Sequence, residues 1–268
     1  MDPIVYFTSL IITGITAGTA SGLFGVGGGF LMTPVQYWLY TSGGIEGTLA
    51  TRLAFGTSLA VMIPTMIGAA FAHHRHGTVN WQAAIPMGCA AVFGGLAGGT
   101  LATHLSGYAL RTFFALLIIA TAVRMVWHIR TCPACEPRGS TSIYLLIGLL
   151  IGIISGLAGI GGGVLLVPIL VVLLGYPMHT AVGTSSASLI FSSSGAVTAY
   201  IINGLGVAGL PPFSIGYVDL LTFAILAATT IPLARFGVRC AHGCSDRNLQ
   251  IVFAGVLILI GAIMLVSG

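Results

Sequence analysis

Two fourteen-residue runs, GLFGVGGGFLMTPV at 22–35 and GLAGIGGGVLLVPI at 156–169, share the pattern G-L-x-G-x-G-G-G-x-L-x-x-P. The first gathers Gly25, Gly27, Gly28 and Gly29 ahead of Pro34, and the second gathers Gly159, Gly161, Gly162 and Gly163 ahead of Pro168. A helix loses about 1 kcal/mol for each glycine that replaces an alanine, so runs like these need an offsetting use. Small residues spaced four apart let membrane helices pack closely. Contiguous glycines followed by a proline instead favour a break in the helix. At such a break, freed N–H groups and helix N-termini present partial positive charge, which suits a small anion. The missing side chains let the anion approach the backbone.

A second shared segment follows, with LAFGTSLA at 53–60 aligning with TAVGTSSA at 180–187. Its hydroxyls, Thr57 and Ser58 in one copy and Thr184, Ser185 and Ser186 in the other, can supplement the backbone donors around an anion. Hydroxyls inside helices also serve merely to satisfy backbone carbonyls. Arg52 and His179 each stand four residues before the glycine of a GTS triplet. They can draw an anion to the two mouths of a pathway; the alternatives are headgroup snorkelling for Arg52 and an ordinary loop histidine for His179.

These residues must be held in a membrane. Of 268 residues, 56% are hydrophobic and 5% charged, and the mean hydropathy is +1.06, so no soluble surface can be assembled from the chain. Apolar runs lie at about 4–40, 53–72, 83–102, 112–128, 143–175, 181–202, 219–234 and 249–267, most of them close to the roughly 20 residues of a membrane-crossing helix. Strand-type alternation is absent, which speaks against a barrel. The N-terminus, MDPIVYF, carries no basic leader and reads as structure.

The runs 4–40 and 143–175 are too long for one span and short for two, and both contain the glycine motif. All nine basic side chains are arginines, which gather on the cytoplasmic side of a membrane protein. If each long run crosses once, the arginines divide four against five. If each goes in and comes back, as two short helices or a re-entrant hairpin, seven lie inside and only Arg52 and Arg111 outside. The second arrangement is expected. Each half then has five segments, an odd number, which makes the halves inverted repeats with both termini outside, the architecture of an alternating-access transporter. The expected fold is thus an all-α polytopic membrane protein of two inverted repeats, 1–128 and 143–268, joined by the polar cytoplasmic linker IRTCPACEPRGSTS at 129–142.

Other features are less pointed. The linker carries Cys132 and Cys135, and a loop before the last run carries Cys240 and Cys244, with His128 and His242 nearby. Zinc, a thiol–disulfide switch, sulfur chemistry and no special role all remain open for them, and no metal site is assigned. The HHRHG run at 73–77 reads as a headgroup-facing basic turn, and Cys89, alone in a span, as core. Asn203 is most simply a helix cap before Gly204. Among five acidic residues only Asp219 could reach inward, so proton coupling and potential-driven exit fit equally well. No GK[ST] follows the glycines and no nucleophile and base face each other within a span, which excludes a nucleotide-binding loop and leaves no catalytic residue; no cofactor or nucleic-acid partner is expected.

The paired glycine motifs with their prolines, the paired GTS segments and the chain length resemble the TauE/SafE family of sulfite exporters, a group of anion permeases, over nearly the whole chain. The resemblance implies that a sulfur-containing anion, such as sulfite, thiosulfate or an organosulfonate, crosses the cytoplasmic (inner) membrane. Alternating-access export is the expectation, and a passive anion channel of the same architecture is the alternative.

Overall fold

The computed structural model describes residues 3–113, 116, 120, 139–253, 255 and 256. Its helices are α1 (Pro3–Phe24), α2 (Gly29–Ser42), α3 (Gly47–Arg75), α4 (Trp81–His104), α5 (Thr141–Ala158), α6 (Gly163–Pro168), α7 (Met178–Gly204) and α8 (Leu220–His242). After Pro168 the chain continues as a π-helical turn over Ile169–Leu173. A small antiparallel hairpin, β1 (Ser214–Ile215) and β2 (Val218–Asp219), precedes α8. Helical backbone also covers 107–113 and 246–253. Six of these helices, α1, α3, α4, α5, α7 and α8, are long and apolar enough to cross a membrane. The chain is an all-α, multi-pass membrane protein, and α3 and α7, which carry the GTS triplets, are its most buried helices.

Side-chain caps set several helix starts. Glu46 accepts from the N–H groups of Thr48 and Leu49 ahead of α3, Asn80 from Ala83 ahead of α4, Ser140 from Ile143 ahead of α5, and Asp219 from Leu221 ahead of α8. Packing then follows from glycine stripes. Gly14, Gly18 and Gly22 of α1 lie against Thr229, Thr230 and Ala234 of α8, while Gly148, Gly152 and Gly156 of α5 lie against Met87, Ala91 and Gly99 of α4. Residue numbers rise together along both contacts, so each pair of helices is parallel. A Cβ added to Gly152 would stand 2.4 Å from the Ala91 carbonyl oxygen, which shows how closely the backbones approach.

At the centre α3 and α7 run antiparallel. Gly56 of α3 faces the Tyr200 side chain of α7, and Gly183 of α7 faces that of His73 in α3. Matching bonds recur at these ends: the Tyr200 hydroxyl donates to the Gly156 carbonyl at 3.0 Å, and His73 Nε2 lies 3.2 Å from the Gly22 carbonyl oxygen.

Four local expectations change. His73 does not face headgroups but is fully buried by its contact with α1. Cys89 is exposed on α4 rather than in the core, because the small residues of that helix turn inward and leave its thiol outside. Asn203 is not a cap: α7 runs through Gly204, Leu205 is the C-cap, and the Asn203 amide donates back to the Ala199 carbonyl at 2.8 Å. Cys240 belongs to the last turn of α8 rather than to a loop. The expectations for Cys132, Cys135 and His128 lie outside the described residues.

Candidate functional site

The ends of the first long run meet at one carboxylate. Tyr40, near the end of α2, donates its hydroxyl to Asp219 Oδ2 at 3.2 Å, and Tyr6, near the start of α1, lies 3.5 Å from the same oxygen and 2.6 Å from Thr222 Oγ1. The run therefore enters and returns to the side on which it began. The second long run closes in the same way, with the Tyr144 and Tyr176 hydroxyls 2.9 Å apart and the Asn80 amide donating to Tyr176 at 3.1 Å.

At the tip of each hairpin the helix breaks. Gly25, Gly27 and Gly28 adopt φ of 65°, 82° and 72°, and Gly159, Gly161 and Gly162 adopt 66°, 75° and 76°, a left-handed conformation open to glycine at little cost. Gly28 and Gly162 are the N-caps from which α2 and α6 start. The two breaks cross inside the protein. A Cβ on Gly29 would lie 3.0 Å from the Ile160 Cα, and one on Gly163 would lie 2.5 Å from the Val26 Cα. Among the described residues, no acceptor takes the N–H groups of Val26, Gly27 and Gly28, nor those of Ile160, Gly161 and Gly162. They are buried with two helix N-termini, as an anion site requires.

Buried hydroxyls stand around the crossing. Ser21 and Ser155, each four residues before the first left-handed glycine of its break, are wholly buried, and neither Oγ has a partner among the described residues. Ser193 Oγ, also unpartnered, lies 3.4 Å from where a Gly161 Cβ would be. Buried hydroxyls without partners are uncommon in folded proteins, and three around one pair of unbonded turns suit a polar ligand. None of the three is named by the repeat-based reading. The shared triplet Ser-Gly-Leu at 21–23 and 155–157 carries the signal for two of them.

The hydroxyls of the GTS segments divide by role. Ser58 accepts from Thr33 Oγ1 and Gln36 Nε2, both at 3.1 Å, and so ties α3 to α2, while Ser185 donates to the Gly25 carbonyl at 2.8 Å and braces the first break. Ser186 bonds back to the Val182 carbonyl of its own helix. Thr57 and Thr184 sit at helix junctions, where each accepts at 3.0 Å the backbone N–H of a capping residue, Asp219 or Asn80. Pro34 lies inside α2 and Pro168 ends the regular part of α6.

Arg52 and His179 stand apart from the crossing, at opposite ends of the antiparallel pair α3 and α7. Arg52 donates to the Leu105 carbonyl at 3.1 Å and the Tyr217 hydroxyl at 3.4 Å, and it lines a cavity of about 500 Å³ that also touches Glu46 and Tyr217. His179 lies 3.2 Å from Asp246 Oδ1 and stacks on His242, which also stacks on His76 and approaches His73. The structure thus unites histidines from the HHRHG run with two that lie far away in sequence. The rings of His76 and His179 stack on that of His242 while His73 is tilted to it, and among the described residues no group of three or more His, Cys, Asp or Glu is arranged to hold a metal ion. Arg75, Arg235 and Arg239 line a smaller cavity of about 280 Å³ at this end with His76.

Similar proteins are membrane transporters by description. A family model described as Sulfite exporter TauE/SafE matches residues 10–264. A probable membrane transporter protein of Methanocaldococcus jannaschii is 30% identical over 258 residues, covering 96% of this chain and 94% of the relative. One from Haemophilus influenzae is 31% identical, covering 93% and 94%, and the Bacillus subtilis protein YunE, also a probable membrane transporter protein, is 25% identical, covering 98% of each. No solved structure matches the chain.

Proposed function

The chain belongs to the sulfite exporter TauE/SafE family of membrane transporters, and from that premise we propose that it carries a small sulfur-containing oxyanion across the cytoplasmic (inner) membrane, outward, by alternating access. Sulfite, thiosulfate and small organosulfonates are the cargo class. The observation that carries this reading is the crossing of the two left-handed glycine breaks, with its unbonded N–H groups, Ser193 beside Gly161, and Ser21 and Ser155 one helical turn before the breaks. Such a site favours an anion through many hydrogen bonds and no fixed cation, so the anion can leave as readily as it arrives.

The two halves, 1–128 and 143–268, act as inverted repeats in this reading. Its support is the antiparallel run of α3 and α7 together with the matched bonds at their ends. The arginines set the orientation: Arg75, Arg235 and Arg239 mark the cytoplasmic mouth, and Arg52 the outer one. An anion leaving the cell moves down the membrane potential, a gain of about 2.3 kcal/mol per charge for each 100 mV.

A carrier is favoured over an open channel because the crossing is closed. The Met62 side chain lies against both breaks, in contact range of Gly27 and Gly161. Flux of labelled sulfite, thiosulfate and taurine in liposomes containing the purified protein tests the proposal. Saturable flux of at least one, accelerated by unlabelled anion on the far side, supports a carrier. Non-saturating flux without counter-transport would make it a channel, and no flux of any of the three would remove this cargo class.

A further inference from the structure

The two hairpins are fastened at their open ends by corresponding groups that differ in one respect. At the Arg52 end the fastener is Asp219. Its backbone N–H bonds Thr57 of α3, its Oδ1 accepts from Leu221 N–H at 3.0 Å, and its Oδ2 accepts from Thr222 at 2.6 Å and from Tyr40 of α2 at 3.2 Å. Tyr6 of α1 donates into the same cluster through Thr222. At the opposite end the fastener is Asn80. Its N–H bonds Thr184 of α7, its Oδ1 accepts from Ala83 N–H at 3.2 Å, and its amide donates to Tyr176, which bonds Tyr144. The fold makes the same junction with an amide at one end and with a carboxylate at the other, so capping alone does not call for the charge.

Asp219 is 3% exposed and is the buried acidic residue among those described. No basic group stands within ion-pairing distance of it among the described residues. The titratable groups that face it are Tyr6 from α1 and Tyr40 from α2; α3 presents the Thr57 hydroxyl and α8 the Thr222 hydroxyl, while Arg52 is engaged by Leu105 and Tyr217. An ionised carboxylate only accepts hydrogen bonds, which suits the Thr222, Tyr40 and Leu221 donors. A proton on it adds a competing donor where Thr222 and Tyr40 already donate.

We propose that Asp219 is a proton-operated latch at the Arg52 mouth: ionised, it holds the end of α2 to the start of α8, and protonated, it releases α2 so that this mouth opens. The proton comes from the aqueous medium at that mouth, and it returns there when the carboxylate ionises and the latch closes. The inference rests on the transport reading above and gives it a pH-controlled gate. Asn80 cannot take up a proton in this way, so the opposite junction lacks the control.

The test uses the full-length protein in liposomes and in lipid nanodiscs, with thiosulfate as the probe because its charge does not change in the range used. The pH on the Arg52 side is lowered from about 7.5 to about 5.5. Wild-type flux should rise severalfold. Asp219→Asn, which copies the residue at the other junction, should transport without that rise. A flat wild-type profile, or an unchanged pH response in Asp219→Asn, overturns the latch. Amide hydrogen exchange over residues 36–46, corrected for the intrinsic pH effect, reads the latch without any cargo: it should quicken in acid in the wild type, and Tyr40→Phe should quicken it already at neutral pH. An exchange response with no thiosulfate, sulfite or taurine flux retains the latch and removes the cargo reading; no exchange response removes the latch even where flux is present.

Discussion

Gly27 and Gly161 face the same methyl group. A Cβ built on either would fall 1.8 or 1.9 Å from the Met62 Cε, although the two glycines lie in different halves of the chain. Met62 is therefore the shared wall of both breaks, and a side chain added at either glycine competes with it for the same space.

Gly27→Ala should destabilise the protein by about 2 kcal/mol, within the usual range for overpacking a core. Met62→Ala alone should cost about 2–5 kcal/mol for the cavity it leaves, and in that background Gly27→Ala should cost only about 1 kcal/mol, for an alanine at positive φ. A double-mutant cycle from thermal or denaturant unfolding in detergent measures the coupling. Additive effects would show that Met62 is not the obstacle.

The glycine stripes predict a sharp contrast between positions. At Gly98 a Cβ meets the Ile153 carbonyl oxygen at 2.1 Å, a backbone atom that moves only if the helix moves. At Gly47 the nearest atom is the Tyr37 hydroxyl at 3.6 Å. Gly98→Ala should lower the unfolding temperature clearly, and Gly47→Ala should leave it nearly unchanged. Equal effects at the two positions would remove the close approach of α4 and α5.

Sidedness follows from the hairpins. In a background with the other cysteines removed, a membrane-impermeant maleimide should reach Gly44→Cys from one side and the native Cys244 only from the other. Gly206→Cys should behave like Gly44→Cys, since Val207 and Gly44 line the same cavity. Labelling of Gly44→Cys and Cys244 from one side would contradict the in-and-back path.

Glu46 gives a pH signature outside the spans. The Thr48 and Leu49 N–H groups hold its carboxyl below the ordinary carboxylate range. A lowered folded-state pKa contributes stability that is present above the unfolded value and lost as pH falls through the folded one. Glu46→Gln should therefore unfold more easily than wild type at neutral pH, and the difference should vanish in strong acid. A difference that persists there would assign the effect to packing instead.

The sequence made the repeated architecture readable because glycine and proline punctuate helices whatever surrounds them. The in-and-back path of the first run follows from its length and from the placement of arginines such as Arg52 and Arg75. Less readable were the residues whose role depends on a distant neighbour. Ser21 and Ser155 are ordinary helix serines one turn before the breaks, and His73, His179 and His242 come together only because α3 and α8 end where α7 begins. Thr57 and Thr184 carried a signal for hydrogen bonding, but their partners are backbone groups of capping residues far along the chain.

Ser21→Ala with Ser155→Ala tests whether the anion is held at the glycine crossing. Both hydroxyls are buried without partners among the described residues, so removing them should leave the unfolding temperature unchanged or slightly raised. Concentration-dependent thiosulfate, sulfite and taurine flux in liposomes should then show an apparent KM for the transported anion at least about tenfold weaker, equivalent to about 1.4 kcal/mol of lost binding. An unchanged KM in a normally folded double variant, beside active wild type, would place the anion away from the glycine crossing.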